Sequence, residues 1–450
     1  MSFESFGFTA DILSALSDEG YVKPTVIQKM SIPKILAGKD VIAGAQTGTG
    51  KTASYLLPLI HKMVTRNSES GIRRANGLIL LPTRELAQQV LVSFEKYTRN
   101  TDLCAVALFG GVEYGPQQRK LEAGVDLIIA TPGRLLDVID RFKPELFDLK
   151  YLVFDEADRM LDMGFSPAVH KILRHVPCNR QTMLFSATFS EDVRSLSRAF
   201  MRSPETIQAE KLNSAAKKIT HVVHPVDIEK KRPLLSFLIG SNNWQQVLIF
   251  ARTKASADSL AKELHLDGIR NMVIHGDKTQ GYRTKALEHF KQGKIQALVA
   301  TDIAARGLDI VSLPYVINYE LPHNPEDYIH RVGRTGRAGQ SGLAVTLVTD
   351  REVFRLMEVE KILGEKLDKK KVSGFEPVNF DPDLALVRHR QKLRAAAIKK
   401  HGLKKGAGGS GSRPATGGRS GRQGKKDKFK PRHKSRGGKT TAPKRKSRAR

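Results

Sequence analysis

Apolar runs of four to six residues recur along the chain, and each ends in a polar or glycine-containing turn that leads into a helical pattern. In the first half, these runs lie at 40–44, 78–81, 126–131, 151–155 and 183–188. In the second half, they lie at 247–251, 271–276, 297–302, 315–320 and 343–348. Near-continuous apolar strands that alternate with helices are typical of parallel sheets covered on both faces. The pattern therefore predicts two doubly wound α/β domains in series.

The hydrophobic periodicity lapses near 205–220, which predicts the joint between the two domains there. A chain of 450 residues is too long for one core and long enough for two domains of ordinary size. We predict a first domain at 1–207, a linker at 208–218, a second domain at 219–380 and a basic tail at 381–450. In open α/β sheets ligands bind beyond the carboxyl ends of the strands, and the unusual polar clusters of this chain follow predicted strands.

The formal net charge of +29 is concentrated at the end of the chain. Residues 388–450 contain 24 lysines and arginines and one acid, Asp427, whereas the preceding part is nearly balanced. This segment is rich in Gly, Ser, Pro and Lys, so it cannot bury enough apolar surface to offset chain entropy and is predicted to be disordered. A solubilising charge run would look similar, but the sign, size and Gly/Arg content favour binding of a polyanion.

Several classes of protein are disfavoured by the same composition. No apolar run approaches the ~18 residues that a bilayer span needs, and the N-terminal segment lacks the basic region of a secretory signal. Cys104 and Cys178 lie far apart without metal-ligand spacing, so we expect both to be small buried residues. We therefore expect a cytoplasmic protein that does not span a membrane.

A glycine-rich turn with a lysine follows the first predicted strand, in the stretch AQTGTGKTASYLLPLI. It is the P-loop pattern, with Ala45 at the usual first glycine and with Gly50, Lys51 and Thr52 at its end. Backbone N–H groups of such a loop curl around phosphates, and the helix that starts there points its positive end at them. Lys51 would reach the β- and γ-phosphates and Thr52 would bind Mg²⁺. A strand before the turn and a helix after it favour this interpretation over an incidental lysine.

Three carboxylates follow the strand YLVFD: Asp155, Glu156 and Asp158. A P-loop domain needs an acid at the end of a neighbouring strand to hold magnesium, and Asp155 fits that role. Glu156 can orient and deprotonate an attacking water. An acidic cluster after a strand is more often a helix N-terminus that complements the helix dipole, but the upstream P-loop favours the catalytic interpretation. We assign Asp158 to coupling rather than to chemistry.

An ordered set of motifs resembles the DEAD-box RNA helicase family over roughly residues 3–350. The motifs are GYVKPTVIQ (20–28), AQTGTGKT (45–52), PTREL (82–86), GG (110–111), TPGR (131–134), DEAD (155–158), SAT (186–188), LIFART (248–253), HGDKTQGYR (275–283), ATDIAARGLD (300–309) and HRVGRTGR (330–337). The residues that flank these motifs resemble those of the bacterial RhlE-type branch of the family. The resemblance implies two tandem RecA-like domains and an ATP-dependent helicase that unwinds short RNA duplexes and remodels RNA or RNA–protein complexes, in ribosome assembly, RNA turnover or cold adaptation.

The resemblance also implies roles at an ATP and Mg²⁺ site. Gln28 would read adenine, Phe3 would stack on the ring and Thr25 would support the pocket. Other nucleotide contacts would come from Ala45, Gln46, Thr47, Gly48, Thr49, Gly50, Gly307 and Asp309. Arg334 and Arg337 resemble arginine fingers, which would make hydrolysis depend on domain closure. Ser186, Thr188 and His330, with Asp158, would couple the carboxylate site to RNA separation.

The implied partner is RNA, single-stranded or in short duplexes, bound without sequence specificity by a monomeric core and with extra affinity from the tail. The implied contacts are Thr83, Arg84, Gly110, Gly111, Thr131, Gly133, Arg134, Arg252, Gly276, Gln280, Arg283 and Thr301. Hydroxyls, guanidinium groups and loop N–H groups suit phosphate and ribose rather than base edges. A DNA helicase or translocase and a non-enzymatic RNA clamp are the alternatives. The first would not need GYVKPTVIQ, and the second should have lost Lys51, Glu156 or the arginines.

Overall fold

The computed structural model describes residues 1–44, 48–65, 73–142, 146, 148–208, 219–305, 313–336, 342–378, 380–381, 386–387 and 391. Residues Met1–Arg394 form one compact unit. Most of the predicted linker and nearly all of the predicted basic tail lie outside the described residues, as do six predicted site residues: Ala45, Gln46, Thr47, Gly307, Asp309 and Arg337.

The described strands of the first half form one parallel sheet. They are β1 Val41–Gly44, β2 Gly77–Leu80, β3 Ala105–Leu108, β4 Leu127–Ala130, β5 Tyr151–Phe154, β6 Gln181–Ser186 and β7 Glu205–Gln208. Their order is β3-β4-β2-β5-β6-β1-β7, and every pairing is parallel. Because β5, β6 and β1 are neighbours, the segments that follow them meet at one edge of the sheet.

Helices cover both faces of this sheet. They are α1 Ala10–Asp18, α2 Val26–Leu36, α3 Lys51–Val64, α4 Arg84–Tyr97, α5 Tyr114–Glu122, α6 Pro132–Phe142, α7 Ala157–Asp162, α8 Ser166–Leu173 and α9 Glu191–Phe200. Several starts are fixed by side-chain caps: Thr83 accepts the N–H of Leu86 and Ser190 accepts the N–H of Val193. Two separate apolar clusters, one around Leu56 and Phe185 and the other around Phe154 and Leu184, form the core.

The described strands of the second half form a second parallel sheet. They are β8 Ile219–Pro225, β9 Val247–Ala251, β10 Asn271–Ile274, β11 Ala297–Thr301, β12 Tyr315–Asn318, β13 Gly342–Val348 and β14 Asp368–Lys369, in the order β10-β11-β9-β12-β13-β8-β14. The helices are α10 Lys231–Ser241, α11 Lys254–Leu266, α12 Gln280–Lys291, α13 Asp302–Ala305, α14 Glu326–Val332 and α15 Val353–Leu363. The prediction of two α/β domains, each built on a parallel sheet, is therefore confirmed.

The hydrophobic pattern predicted ten of the fourteen described strands and missed four. The strands β3, β7, β8 and β14 have no counterpart among the predicted runs, and three of them, β3, β7 and β14, lie at sheet edges. β7 is buried only at Ile207, and β14 is exposed along its length. β7 and β14 therefore bury little apolar surface, and their hydrophobic pattern is weak. Exposure does not explain why β3 and β8 were missed, because β3 is buried at three of its four positions and β8 at four of its seven. β2, β4 and β5 are buried at every position.

The expectation that both cysteines are buried is wrong, because Cys104 and Cys178 are exposed. Cys104 precedes the edge strand β3, where its Sγ accepts a hydrogen bond of 2.8 Å from Arg73 Nη1, and Cys178 lies in the turn before β6. Turn and edge positions leave a small side chain in contact with water. Among the helices that the structure describes, none is long and apolar enough to cross a bilayer.

Candidate functional site

The lysine of the P-loop lies at the first position of α3 and is almost fully buried. Among the described residues its Nζ has no hydrogen-bond partner. A buried, unpaired ammonium group is costly, so its presence here indicates a site built to receive an anion. The preceding Gly50 has φ 95°, and a Cβ there would lie 2.6 Å from Gln28 Nε2. Only glycine fits this close approach.

Gln28 joins the beginning of α2 to the P-loop. Its Oε1 accepts the N–H of Thr25 at 2.9 Å, and its Nε2 donates to the carbonyl of Gly50 at 3.2 Å. An amide side chain has a second N–H and a second lone pair, so one donor and one acceptor are left over for a base edge. Phe3 is buried, with its ring edge-on to those of Phe6 and Tyr21.

Asp155 and Glu156 lie where β5 passes into α7. Both are buried, and Glu156 has φ 51°, a left-handed conformation that is unusual for a side chain with a Cβ. Strain of this kind is found at functional sites, where the surrounding structure imposes it. Burial raises the pKa of the Asp155 carboxyl, and Glu156 adds to the rise, while Lys51 opposes it. A nearby cation therefore stabilises the ionised form of this carboxyl.

A tyrosine hydroxyl connects the two predicted magnesium ligands. Tyr55 Oη donates to Asp155 Oδ2 at 2.9 Å, and the nearby Thr52 side chain opposes the rise in the pKa of Tyr55 that burial and Asp155 cause. Thr52 and Asp155 are thus both within reach of one oxygen. A hydroxyl and a carboxylate are the ligand types that Mg²⁺ takes when substrate phosphates supply the rest. The residues fit that ion, and among the described residues no cluster of three or more His, Cys, Asp or Glu side chains could hold another.

Asp158 connects the DEAD segment to the loop after β6. Its Oδ2 accepts the N–H groups of Ala187 and Thr188 at 3.2 and 3.0 Å, together with the Thr188 hydroxyl at 3.2 Å. Ser186 Oγ closes the loop by donating to the Thr188 carbonyl at 2.7 Å. Because α7 and the 186–188 loop share this carboxylate, a shift of one must displace the other.

One cavity of about 490 Å³ collects most of the residues predicted to bind RNA. All seven predicted contacts of the first half line it, and the second half contributes Gly276 and Arg283. Gln280 lines a neighbouring cavity together with Arg283. Arg283 Nη2 lies 2.9 Å from Glu85 Oε1, so the two halves touch at this point. Residues that are far apart in the chain therefore form one polar surface.

Besides Arg283, three further arginines of the predicted RNA set contact protein groups in the structure. Arg84 lies against Gly111, whose φ is 78° and whose hypothetical Cβ would be 1.8 Å from Arg84 Nη1. Arg134 donates to the Val112 carbonyl at 2.9 Å and stacks on Tyr114. Arg252 donates to Glu352 and to the Leu321 carbonyl. Arg252 and Thr301 do not line the cavity.

Arg334, the predicted arginine finger that the structure describes, lies just beyond α14. It is buried and lines a small cavity together with Asp302, Asp327 and His330. The helix itself is anchored by Arg331, whose guanidinium contacts both carboxylate oxygens of Asp302 at 2.5 and 2.7 Å. Among the described residues no hydrogen bond joins His330 to the 186–188 loop.

The sequence analysis missed two buried polar residues beside this site, Tyr55 and Arg159. Tyr55 is four positions after Lys51 on α3, a spacing that places both on one face of a helix. That spacing could have identified it. Arg159 directly follows the DEAD segment, and only its tertiary partner distinguishes it from a surface arginine.

Comparison with known families agrees with this geometry. The family model "DEAD/DEAH box helicase" matches residues 25–196, and the model "Helicase conserved C-terminal domain" matches residues 229–339. The ATP-dependent RNA helicase DBP2 of Lodderomyces elongisporus is 42% identical over 373 residues, a match that covers 81% of this chain and 67% of the relative. The DEAD-box ATP-dependent RNA helicase CshA of Bacillus subtilis is 40% identical over 371 residues, which is 82% of this chain and 74% of the relative.

Two solved structures share the fold of both sheets. Dbp5 of S. cerevisiae bound to RNA and ADP BeF3 superposes with a TM-score of 0.73 at 29% identity, over 86% of this chain and 99% of that one. Mss116p bound to ssRNA and AMP-PNP gives a TM-score of 0.74 at 26% identity, over 89% of this chain and 87% of that one.

Proposed function

This chain belongs to the family of DEAD-box ATP-dependent RNA helicases and is an RNA-stimulated ATPase, and we propose that it opens short RNA duplexes locally by closing its two domains on ATP and on one strand. The observation that carries this proposal is the cavity lined by predicted RNA contacts of both domains. The two similar structures whose names include RNA support it further.

The RNA groups recognised by this cavity would be phosphate and ribose. Thr83 and Thr131 offer hydroxyls, Gly110 and Gly133 offer backbone groups, and Arg84 offers a cation. None of these reads a base edge, so binding would be independent of sequence. A strand held along such a surface in a bent path cannot stay paired, and its partner strand would separate locally.

ATP is the substrate of the hydrolytic step. Mg²⁺, held by Thr52 and Asp155, would supply charge neutralisation at the phosphates when bound. Lys51 would bind the terminal phosphates, and Glu156 would accept a proton from the attacking water. Arg334 and Arg337 would supply positive charge from the second domain, a contribution worth about 10³–10⁵ in rate. Hydrolysis would thus depend on closure.

Finer features of the function belong to the same proposal. The residues that flank the motifs support membership in the RhlE-type branch of the family. The cellular role would then lie in ribosome assembly, RNA turnover or cold adaptation. We keep the division into domains at 1–207 and 219–380, a linker at 208–218 and a basic RNA-binding tail at 381–450, on a monomeric core.

The test is ATP hydrolysis measured with RNA and with DNA of equal length and sequence. RNA should stimulate turnover strongly and DNA weakly, because the 2′-hydroxyl distinguishes the two. Equal stimulation by both would favour a DNA translocase.

The variant Glu156→Gln tests the assignment of the general base. It should bind ATP and RNA with unchanged affinity, yet hydrolyse at least about 10²-fold more slowly, because general-base catalysis typically contributes that much or more. Binding is checked by fluorescence anisotropy of labelled RNA with a non-hydrolysable ATP analogue. Turnover equal to that of the wild type would refute the role of Glu156.

A further inference from the structure

Arg159 is an arginine buried at the boundary between the two domains. Only 3% of its surface is exposed, although a guanidinium group is normally hydrated. Its Nη1 contacts Asp327 Oδ1 and lies 3.7 Å from Asp162 Oδ2. The Asp162 side chain is 43% exposed, whereas that of Asp327 is only 11% exposed, so Asp327 is the buried partner.

The two members of this pair belong to different domains. Arg159 lies on α7 of the first domain and Asp327 lies on α14 of the second. When the domains separate, both charges return to water and the contact is lost. A contact that exists in only one arrangement shifts the equilibrium towards that arrangement.

The surrounding charges make this arginine more than a packing residue. Asp158, Asp162, Glu326 and Asp327 lie around it. Burial raises the pKa of Glu326, and Asp158 and Asp162 raise it further, while Arg159 lowers it. Burial alone would lower the pKa of Arg159, but Asp327 and Asp158 raise it above its usual value. Without the guanidinium, carboxylates of the two domains would repel one another across the boundary.

Both ends of the pair are connected to the reaction site. The N–H of Arg159 donates to Asp158 Oδ1 at 3.0 Å, and Asp158 in turn holds the 186–188 loop. On the other side, Asp327 lies in the first turn of α14, the helix that precedes Arg334. Arg334 lies two residues beyond Val332, the last residue of that helix, and it lines the same small cavity as Asp327. The pair therefore lies between the DEAD segment and the predicted arginine finger.

We propose that Arg159 and Asp327 form an ion pair of the closed state and act as positioning residues that hold Arg334 against the site of Glu156. The proposal rests on the closure put forward above and adds the contact that stabilises it. In this proposal, neither side chain contacts a substrate. Their effect should appear in the RNA concentration needed for closure rather than in nucleotide binding by the first domain.

The test is a double-mutant cycle of Arg159→Gln, Asp327→Asn and the double variant, with Arg198→Gln as control. Arg198 forms an exposed ion pair with Glu191 inside the first domain, so its loss should change nothing. Closure is followed by energy transfer between Cys178 and a cysteine introduced by Leu266→Cys, in a Cys104→Ser background. Both labelled positions are exposed and lie in different domains.

Each single variant should raise the RNA concentration for half-maximal ATPase about 10-fold, the size of a typical coupling between sites. Arg159→Gln should be the more severe because it leaves the carboxylates unopposed. The double variant should be no worse than Arg159→Gln, since paired residues are not additive. ADP affinity and the melting temperature should stay near those of the wild type.

Additive effects of the two substitutions on the RNA concentration for half-maximal ATPase would refute the proposed ion pair. The proposal would also be refuted if Asp327→Asn left both the RNA dependence and the energy transfer unchanged. A lower melting temperature with unchanged closure would also overturn it, because the pair would then only support the fold. Absence of RNA-dependent closure in the wild type would instead refute the proposed function, and the pair with it.

Discussion

The hydroxyl of Tyr55 is the least expected group at the nucleotide site. It is fully buried against Phe185, and its donor proton is committed to Asp155 Oδ2, while Asp155 Oδ1 accepts the N–H of Glu156 at 2.9 Å. Both carboxylate oxygens are therefore oriented by the protein. Groups that orient a metal-binding carboxylate matter nearly as much as the carboxylate itself.

The variant Tyr55→Phe should weaken divalent-metal binding about 10-fold, the lower end of the range for partners that orient metal ligands. The measurement is a Mn²⁺ titration in the presence of ADP, followed by electron paramagnetic resonance of the free ion. Tyr97→Phe is the matched control, because it removes a hydroxyl bonded only to Tyr21 among the hydrogen bonds described. Equal metal affinity in both variants would show that Tyr55 only packs the core.

Gly111 allows Arg84 to lie across the 110–111 turn. Its positive φ disfavours any other residue, and a Cβ would collide with the guanidinium. Gly111→Ala should therefore displace Arg84 from the cavity and weaken RNA binding, by about 5-fold or more if the phosphate contact is lost. Anisotropy with labelled RNA measures this effect, and Gly115→Ala, where a Cβ has open space, is the control. RNA affinity that is the same in both variants would contradict the assignment of this turn.

At the scale of elements, Glu352 connects three parts of the second domain. It contacts Lys231 at the start of α10 at 2.6 Å and Arg252 after β9 at 2.7 Å, and it closes a capping box with Thr349. Burial alone would raise the pKa of Glu352, but Lys231, Thr349 and Arg252 hold it below its usual value. Arg252 thus has a structural partner at a position predicted to bind RNA.

Glu352→Gln should reduce the free energy of unfolding of the second domain by about 3 kcal/mol, because it leaves a buried lysine unpaired. Trp244, the only tryptophan of the chain, is buried in that domain, and its fluorescence during urea unfolding reports the change. Asp277→Asn removes an exposed ion pair with Lys254 and serves as control. An effect no larger than that of the control would contradict the role of Glu352.

The pH dependence of the same carboxylate has a definite sign. Because the folded pKa of Glu352 is lowered, its stabilising contribution is fully present above the unfolded pKa of about 4.3 and is lost as the pH falls through the folded value. The wild type should therefore lose more stability between neutral and acid pH than Glu352→Gln does. If the free energy of unfolding changed with pH in the same way in the wild type and in Glu352→Gln, the lowered pKa of Glu352 would be contradicted.

At the scale of the whole molecule, two anionic ligands are handled in two ways. The triphosphate and its metal would lie near the buried Lys51, Asp155 and Glu156, whereas RNA would meet the cavity and the basic tail. The excess charge of residues 388–450 would serve RNA binding. When binding depends on contacts with phosphate charges, the association constant falls with salt. For single strands it falls by about 0.7 log units per contacted phosphate for each tenfold rise in salt concentration.

Deletion of 388–450 should lower RNA affinity and flatten its salt dependence, while RNA-saturated ATPase stays nearly unchanged. A tail of equal length with Lys and Arg replaced by Gly and Ser is the control that separates charge from chain length, and it should behave like the deletion. Titrations at several salt concentrations measure the slope. Collapse of saturated turnover would show that the tail takes part in catalysis itself.

Sequence patterns alone were enough to predict ten of the fourteen described strands, the P-loop motif and the DEAD segment. These features are local: an apolar run reports burial on both faces of a strand, and a glycine followed by Lys51 and Thr52 reports a phosphate loop. The sequence also determined where the charge excess lies, since composition needs no coordinates. The edge strand β7 was not predicted from the sequence, because little of its surface is buried.

The contacts between polar side chains that are distant in the chain became apparent only in the folded structure. Tyr55 reaches Asp155 across 100 positions and Arg159 reaches Asp327 across 168, and no periodicity encodes such pairs. The folded structure also showed that Arg134 and Arg252 hold protein groups, a fact hidden in motifs that fit RNA contacts equally well. The physical reason is that burial and partner together fix what a charged side chain does, and both arise only when separate segments pack.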